Sequence, residues 1–437
     1  MTIAARTAAG AALRTTTPRS SHAAWAPATD RADPIEILIA QGSSRIAALL
    51  PVRTARMNAS AFAFLRGAAA IMAADLAATP STGIRVQAAG DCHLANFGTF
   101  RTPAGAAVFD LNDFDETLPA PFEWDLKRLA TSLILAGRDQ QLPGKACRGL
   151  AVSAAAAYRT QMATLAPMAP IEQWAARIDV QDAIAGIDDS KLRTREQARL
   201  KSAMGDATGS YGLIEPVGDT WRIREKPPNI HRLTTTDVDA PGLFSRYAAT
   251  LTPEISALLA RYALADLAFK VVGVGSVGTY CAIALFTTAD GQALILQLKQ
   301  AEASVLAATA GPSAHAHQGE RVVNGQRILQ ATPDPFLGWT EDGDRQFYVR
   351  ELKDQRLAAI GTDLSGALPF YGTLCGRTLA RGHARSGDAA MIAGYLGAGT
   401  QMDQAVGDFA VAYADQSTAD WRAMQAAVAN GRMPTSG

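Results

Sequence analysis

Residues 89–116, AGDCHLANFGTFRTPAGAAVFDLNDFDE, constrain this chain more than any other stretch. Two polar clusters, GDCHLAN at 90–96 and DLNDFD at 110–115, flank a predicted hairpin. Residues 97–100 read as a strand, 102–105 as a turn and 106–109 as the returning strand. A hairpin of that length brings Asp91, Asn96 and Asp110 to the same end. Two carboxylates and an amide oxygen offer hard ligands and a potential base, a set suited to Mg²⁺ and a polyphosphate. The plainer alternative is a polar hairpin tip whose Asp and Asn side chains satisfy turn backbone.

The spacing has a counterpart. A D-x-x-x-x-N step, a hairpin and an Asp opening a D-x-x-D run resemble the catalytic loop and metal-binding Asp of protein-kinase-like phosphotransferases. The Gly-Asp-x-His form resembles their aminoglycoside and choline kinase branch. The resemblance implies Asp91 as catalytic base, Asn96 as a metal ligand and Asp110 as the principal metal ligand, with Asp113 able to replace or assist it. The chain departs from the pattern at Ala89, where a His is usual, and in the DLND run, where DFG is usual.

A chain of 437 residues with 48% hydrophobic content can bury a large core. Its formal charge of zero gives no general footprint for nucleic acid. Cys92, Cys147, Cys281 and Cys375 are scattered, which argues against a zinc ribbon or disulfide framework and fits a reducing, cytoplasmic setting. The six histidines form no metal-ligand pattern. No run of about 18 apolar residues marks a membrane span. Residues 1–34, rich in Ala, Thr, Arg and Ser, read as a disordered tail.

Short helices are expected over 35–50 and 60–78, the second capped by Asn58 or Ser60. Arg53, Arg56 and Arg66 lie here, and a phosphate site needs cations, although each alone could be a packing or surface residue. Residues 84–88 read as a strand entering the catalytic loop. A helix follows at 119–138, with Asp125 in its first turn. Kinase-like enzymes have a helix here whose Asp holds the catalytic-loop backbone, and Asp125 matches it by order. An Asp favoured by the helix dipole is the compatible plain reading. Another helix is expected at 145–165, and residues 166–265 read as a helical insertion or connector.

The second informative stretch is KVVGVGSVGT at 270–279, containing G-x-G-x-x-G. In a Rossmann unit that pattern must open a helix. Here the residues after Gly278 are β-branched, aromatic and small, and they run to a turn at Asp290-Gly291. The loop therefore joins two strands, as in kinases, and Gly273, Gly275, Ser276 and Gly278 are candidates to approach phosphates. Lys299 ends the next strand and matches the lysine that grips the α- and β-phosphates. Glu320, on a helix expected at 317–330, is the candidate to orient it, with Glu302 second. Strands at 336–340 and 346–352 lead to a hinge over 350–353, including Glu351, that would receive adenine. Helices close the chain at 368–383 and, as a pair, at 404–430.

The order is inverted relative to kinases, since the catalytic loop at Asp91 precedes the Gly-rich loop. A circular permutation reconciles the two. The expected fold is α+β, kinase-like with two lobes: a catalytic-loop half at 35–165, the connector at 166–265, a small antiparallel nucleotide lobe at 266–355 and remaining helices at 356–437. The chain also resembles a bacterial family of unknown function, DUF2252, through FAFLRGAAAIMAADLA, GDCHLANFG, FDLNDFDE, FEWDLKRLA, KVVGVGSVGT, FYVRELKD and ARGHARSGDA. The expectation is an ATP- and Mg²⁺-dependent phosphotransferase acting on an unidentified hydroxyl-bearing small molecule or protein. Transfer of AMP from a flipped nucleotide, or nucleotide sensing without turnover, are the alternatives.

Overall fold

The computed structural model describes residues 1–437 except 103, 206–211, 219, 234–238, 272, 353–365 and 436–437. The chain is mixed α and β, and the strands pair antiparallel throughout the described sheets.

The first half is helical: α1 Ile3–Ala12, α2 Pro34–Gly42, α3 Leu50–Asn58, α4 Ala61–Gly67 and α5 Ala69–Ala77. Strands β1 Arg85–Ala88, β2 Phe97–Arg101, β3 Ala107–Leu111 and β4 Leu118–Pro121 follow, with β2 paired to β3 and β1 to β4. Next come α6 Phe122–Asp139, α7 Gly144–Leu165, α8 Pro170–Ala175, α9 Val180–Ala185 and α10 Ser190–Gly205. Helix α6 is the axis of this body. Residues 122–137 are all buried, and a helix buried all round draws partners for most of its polar groups from its surroundings. Glu123 accepts from Thr82 N and Oγ1, and Lys127 donates to Thr79 Oγ1. Asp125, Arg128 and Ser132 turn to the loop before β2.

The second body opens with a separate pair, β5 Ile214–Val217 and β6 Thr220–Ile223, followed by β7 Ile230–Arg232, β8 Ala263–Lys270, β9 Cys281–Thr287, β10 Ala293–Gln300, β11 Gly338–Asp342 and β12 Arg345–Glu351. The last six form a sheet in the order β11-β12-β10-β9-β8-β7. Helices α11 Ala240–Ala248 and α12 Pro253–Leu259 precede β8, while α13 Ala307–Ala310 and α14 Gln318–Leu329 lie between β10 and β11. Period-two alternation sorts the faces. Ala282, Ala284, Phe286, Leu294, Leu296 and Leu298 join Phe244 and Tyr247 of α11 in one core, whereas Ile283, Leu285 and Ile295 point the other way. Lys299 shares that second face. Three helices end the chain, α15 Leu368–Ala384, α16 Ala389–Leu396 and α17 Gln401–Ala429.

Several expectations need correction. Residues 1–34 are not a tail: α1 packs on α16, and His22 is fully buried against Tyr395. The helix expected over 35–50 ends at Gly42, and α3 begins at Leu50. The helix expected over 60–78 breaks at Ala68, because Arg128 Nη2 takes Leu65 O and Arg53 Nη2 takes Gly67 O. Residues 263–266, Ala- and Leu-rich, form strand rather than helix, since pairing with β9 overrides local propensity. The expected pair at 404–430 is one helix of 29 residues, with no Gly or Pro after Gly407 to interrupt it.

Candidate functional site

Helix periodicity builds one wall of the site. Asp125, Arg128 and Ser132 lie at i, i+3 and i+7, so they share a face of α6. Asp125 accepts from Ala89 N at 2.6 Å and Gly90 N at 3.0 Å, and Ser132 Oγ accepts from Leu94 N at 3.0 Å. Between them Arg128 donates to Asp91 Oδ1 from Nε at 2.7 Å and also from Nη2. Asp125 is itself fixed by His383 of α15, whose Nε2 donates to Oδ2 at 3.2 Å. That leaves His383 Nδ1 to accept from Tyr158 OH at 2.9 Å. Gly90, at φ +82°, meets Glu116 O so closely that a side chain there has no room. The loop carrying Asp91 is thus held at its backbone, its side chain and its crossing with the DFDE segment.

The sheet supplies the second wall. Lys299 of β10 lies opposite Tyr348 of β12, and Gln297 opposite Arg350. From this face Lys299 Nζ reaches Asp115 Oδ2 at 2.7 Å and Asp113 Oδ1 at 3.5 Å. Tyr348 OH donates to Asp115 Oδ1 at 2.6 Å, and Arg350 Nη1 to Asn112 O at 2.9 Å. Arg321 of α14 donates to Asp115 O, Thr117 O and Glu302 O. The segment 112–117 is therefore clamped between sheet and helix.

The Gly-rich loop closes the cavity. Residues 273–278 join β8 to the antiparallel β9, so the pattern opens a strand and not the helix of a Rossmann unit. Ser276 Oγ donates to Asp115 Oδ2 at 3.1 Å. The segment around α3 holds the loop from outside: Arg45 Nη1 donates to Gly275 O and Val277 O, Ile46 N to Gly278 O, and Arg56 Nη1 to Gly273 O. The cavity, about 290 Å³, is lined by Asp91, Asn96, Asp113, Asp115, Glu116 and Glu302, by Gly273, Gly275 and Ser276, and by Arg45, Arg53 and Arg66.

Electrostatics separate the carboxylates. Burial pushes Asp91 above the usual carboxylate range, and Arg128 opposes it. Burial and the neighbouring Asp115 raise Asp113. Burial also acts on Asp115, but Lys299 and the Tyr348 hydroxyl outweigh it and hold the group at about 2. Glu116 is pushed up to about 7 by burial, against one hydrogen bond from Val305 N. Lys299 is desolvated, yet Asp113 and Asp115 keep it well above its ordinary value. Burial lowers His93, with Arg66 and Arg128 adding to the effect.

The oxygen-only donor set of Asn96, Asp113 and Asp115 has the chemistry of a hard cation site, and a cation would relieve the like-charge pair Asp113 and Asp115. Asn96 spends its Nδ2 on Asp91 O, which leaves its amide oxygen as the donor. Among the described residues no three His, Cys, Asp or Glu side chains form a metal cage. Mg²⁺ does not need one, because it is held by one or two carboxylates with phosphates and water.

Several expected assignments move. Asp110 is 1% exposed and does not line the cavity: Arg381 pairs with Oδ1, Leu111 N donates to Oδ1, and Ala331 N to Oδ2. It is Asp113 that faces the cavity, because the strand β3 runs to Leu111 and carries Asp110 inward. Glu320 lies against His315 at 3.5 Å rather than Lys299, whose carboxylate partners come from the DFDE segment. Glu302 lines the cavity and accepts from Ser44 Oγ. Gly278, at φ +95°, packs on Arg45 and does not line the cavity. Glu351 donates its N–H to Asp334 at the end of β12, and Lys353 of the expected hinge lies outside the described residues. Reasoning from sequence missed Arg128, Asp115, Tyr348 and Arg45. Arg128 was legible as the residue one turn beyond Asp125; the others depend on contacts between distant segments.

The family described as "Uncharacterized protein conserved in bacteria (DUF2252)" matches residues 45–427. The chain belongs to this family. The match takes in every residue of the DUF2252 cavity named above, from Arg45 to Glu302. It leaves out α1 and α2. No curated protein and no solved structure matches the chain. All four cysteines are buried and free, and among the described residues no helix is long and apolar enough to cross a membrane.

Proposed function

We propose that this DUF2252 protein is an ATP- and Mg²⁺-dependent phosphotransferase with a kinase-like, two-lobed and circularly permuted arrangement. One observation carries the reading. Asp91, Asn96 and Asp113 meet the Gly273–Ser276 segment around one cavity, although at least 160 residues separate them in sequence, and Lys299 is ion-paired to the same DFDE segment. Strand, Gly-rich turn, strand, lysine-bearing strand, helix and two strands also follow in the order that such a nucleotide lobe requires.

Nucleotide bound here would supply the phosphoryl group, and Mg²⁺ on Asp113 and Asn96 would neutralise its charge. Asp91 would take the proton of an acceptor hydroxyl through Oδ2, while Arg128 keeps Oδ1 and fixes the carboxylate plane. Lys299 ties the phosphate side of the sheet to Asp115, and its ion pair leaves it charged. Backbone N–H groups of 273–276 can approach phosphate because glycine leaves the loop without bulk.

The test is the thermal stability of wild type and Asp113→Asn, each with and without Mg²⁺-ATP. A ligand at 100 times its Kd adds about 2.7 kcal/mol to the folded state. A Mg²⁺-dependent shift present in wild type and lost in Asp113→Asn is expected. No shift in wild type at millimolar ATP would sink the proposal. Parallel reactions with α- and γ-labelled ATP then separate phosphate from AMP transfer.

A further inference from the structure

Three arginines line the cavity without a carboxylate partner among the described residues. Arg53 is 3% exposed, and its Nη2 donates only to Gly67 O at 3.0 Å and Gln41 Oε1 at 3.3 Å. Arg66 stacks on the Phe62 ring at 5.9 Å. Arg45 donates to two carbonyls of the Gly-rich loop. In all three, Nε is buried with no hydrogen-bond partner. A buried guanidinium that spends its charge on neutral carbonyls keeps a large desolvation cost, and a bound anion would offset it. Among the described residues the neighbouring acids reach Arg45 and Arg66 only through space, Glu302 foremost at Arg45 and Asp91 at Arg66, and burial outweighs them. Asp91 belongs to Arg128, and Asp113 and Asp115 to Lys299. Burial lowers Arg53, and among the described residues the charged neighbour acting on it is Arg45, another cation.

We infer that Arg53 and Arg66, with Arg45 at their side, form an anion subsite for an acceptor that already carries a phosphate group. The inference rests on the phosphotransferase reading above. Guanidinium forks match phosphate oxygens in pairs, and several cations around one space favour a dianion over a single carboxylate. The subsite stands on the wall that bears Asp91: Arg128 bridges the Asp91 carboxylate to Leu65 O, the residue beside Arg66. Lys299 comes from the opposite, sheet-borne wall. An acceptor anchored by its phosphate on the arginines would therefore offer its hydroxyl to Asp91 on the same wall.

The experiment is calorimetric titration of inorganic phosphate into the full chain, alone and with a saturating Mg²⁺ complex of the non-hydrolysable β,γ-imido analogue of ATP. Expected are phosphate binding in both conditions, weakening of about ten-fold or more in Arg66→Gln, and analogue affinity changed by less than about three-fold. Arg53→Met should act in the same direction; if it fails to fold, Arg66→Gln decides. Displacement of phosphate by the analogue would show that the arginines hold the nucleotide's own phosphates and would overturn the subsite. Absence of phosphate binding, or acetate binding as tightly as phosphate, would overturn it too. Phosphate binding without any analogue binding would instead defeat the phosphotransferase reading and, with it, the assignment to an acceptor.

Discussion

Arg128 donates from both Nε and Nη2 to a single oxygen of Asp91, Oδ1, and so leaves Oδ2 turned toward Gly275. One oxygen is structural and the other is available for chemistry. Asp91→Asn should keep the shape and remove the proposed base. Turnover is expected to fall by about 10²–10⁴-fold, with the Mg²⁺-ATP stability shift intact. Full turnover in Asp91→Asn would exclude the role. Asp91→Ala should behave differently, because it strands a buried guanidinium at a cost of about 3–5 kcal/mol. Adding Arg128→Met should recover part of that loss, which chemical denaturation would measure as a coupling energy.

The two aspartates of the DLND run should separate cleanly. Asp110 pairs with Arg381 in a setting where both are 1% exposed or less, so Asp110→Asn should destabilise by about 3–5 kcal/mol. Its nucleotide response, read in a buffer where the variant is folded, should match wild type. Asp113 is far more accessible, with a side chain 32% exposed, and Asp113→Asn should remain stable while losing the Mg²⁺-dependent shift. The reverse pattern would return the metal to Asp110.

Glu116 should give the protein a measurable pH dependence. Burial holds its carboxyl at about 7 in the folded chain, against an ordinary 4.5. Between those two values the unfolded chain releases a proton that the folded chain retains. The unfolded state therefore binds fewer protons, and this group lowers stability progressively as pH rises from about 4.5 to about 7. The cost is absent below that window and complete above it. Glu116→Gln cannot titrate, so its stability relative to wild type should increase across the window, as paired denaturation curves at pH 5 and pH 8 would show. A difference that is flat with pH would place the Glu116 carboxyl in water.

How far the sequence could be read follows from which contacts are local. The β2–β3 hairpin and the Gly-rich turn are written in adjacent residues, and both lie close to where the residue pattern puts them. Asp125 could be read because it sits in the first turn of an unmistakable helix. Asp110 misled, because sequence spacing cannot show which way a residue at the end of a strand points. That depends on Arg381, 271 residues away. The partner of Lys299 misled for a similar reason. An acid on the following helix is the simple expectation, whereas here Arg321 occupies that helix and pulls the DFDE backbone, with Asp115, into reach of the lysine. The ordering of residues 1–34 depends on α16, which no local pattern near the N-terminus reveals.

The Gly-rich loop offers a final contrast, between space and strain. Gly275 has no positive φ, so alanine there carries no backbone penalty, but its Cβ would lie 3.1 Å from Arg66 O and 3.9 Å from Asp91 Oδ2. It would press the loop off the wall that bears Asp91. Gly275→Ala should therefore leave stability within about 0.5 kcal/mol of wild type while raising KM for nucleotide or lowering kcat. Gly278 is at φ +95°, and a Cβ there would meet Arg45 Cβ at 3.0 Å. Gly278→Ala should cost about 1 kcal/mol or more in folding, because a left-handed residue and a tight contact are combined. If Gly275→Ala were the less stable of the two by denaturant midpoint, the loop would be load-carrying at Gly275. Its freedom from side chains would then serve the fold and not access to phosphate.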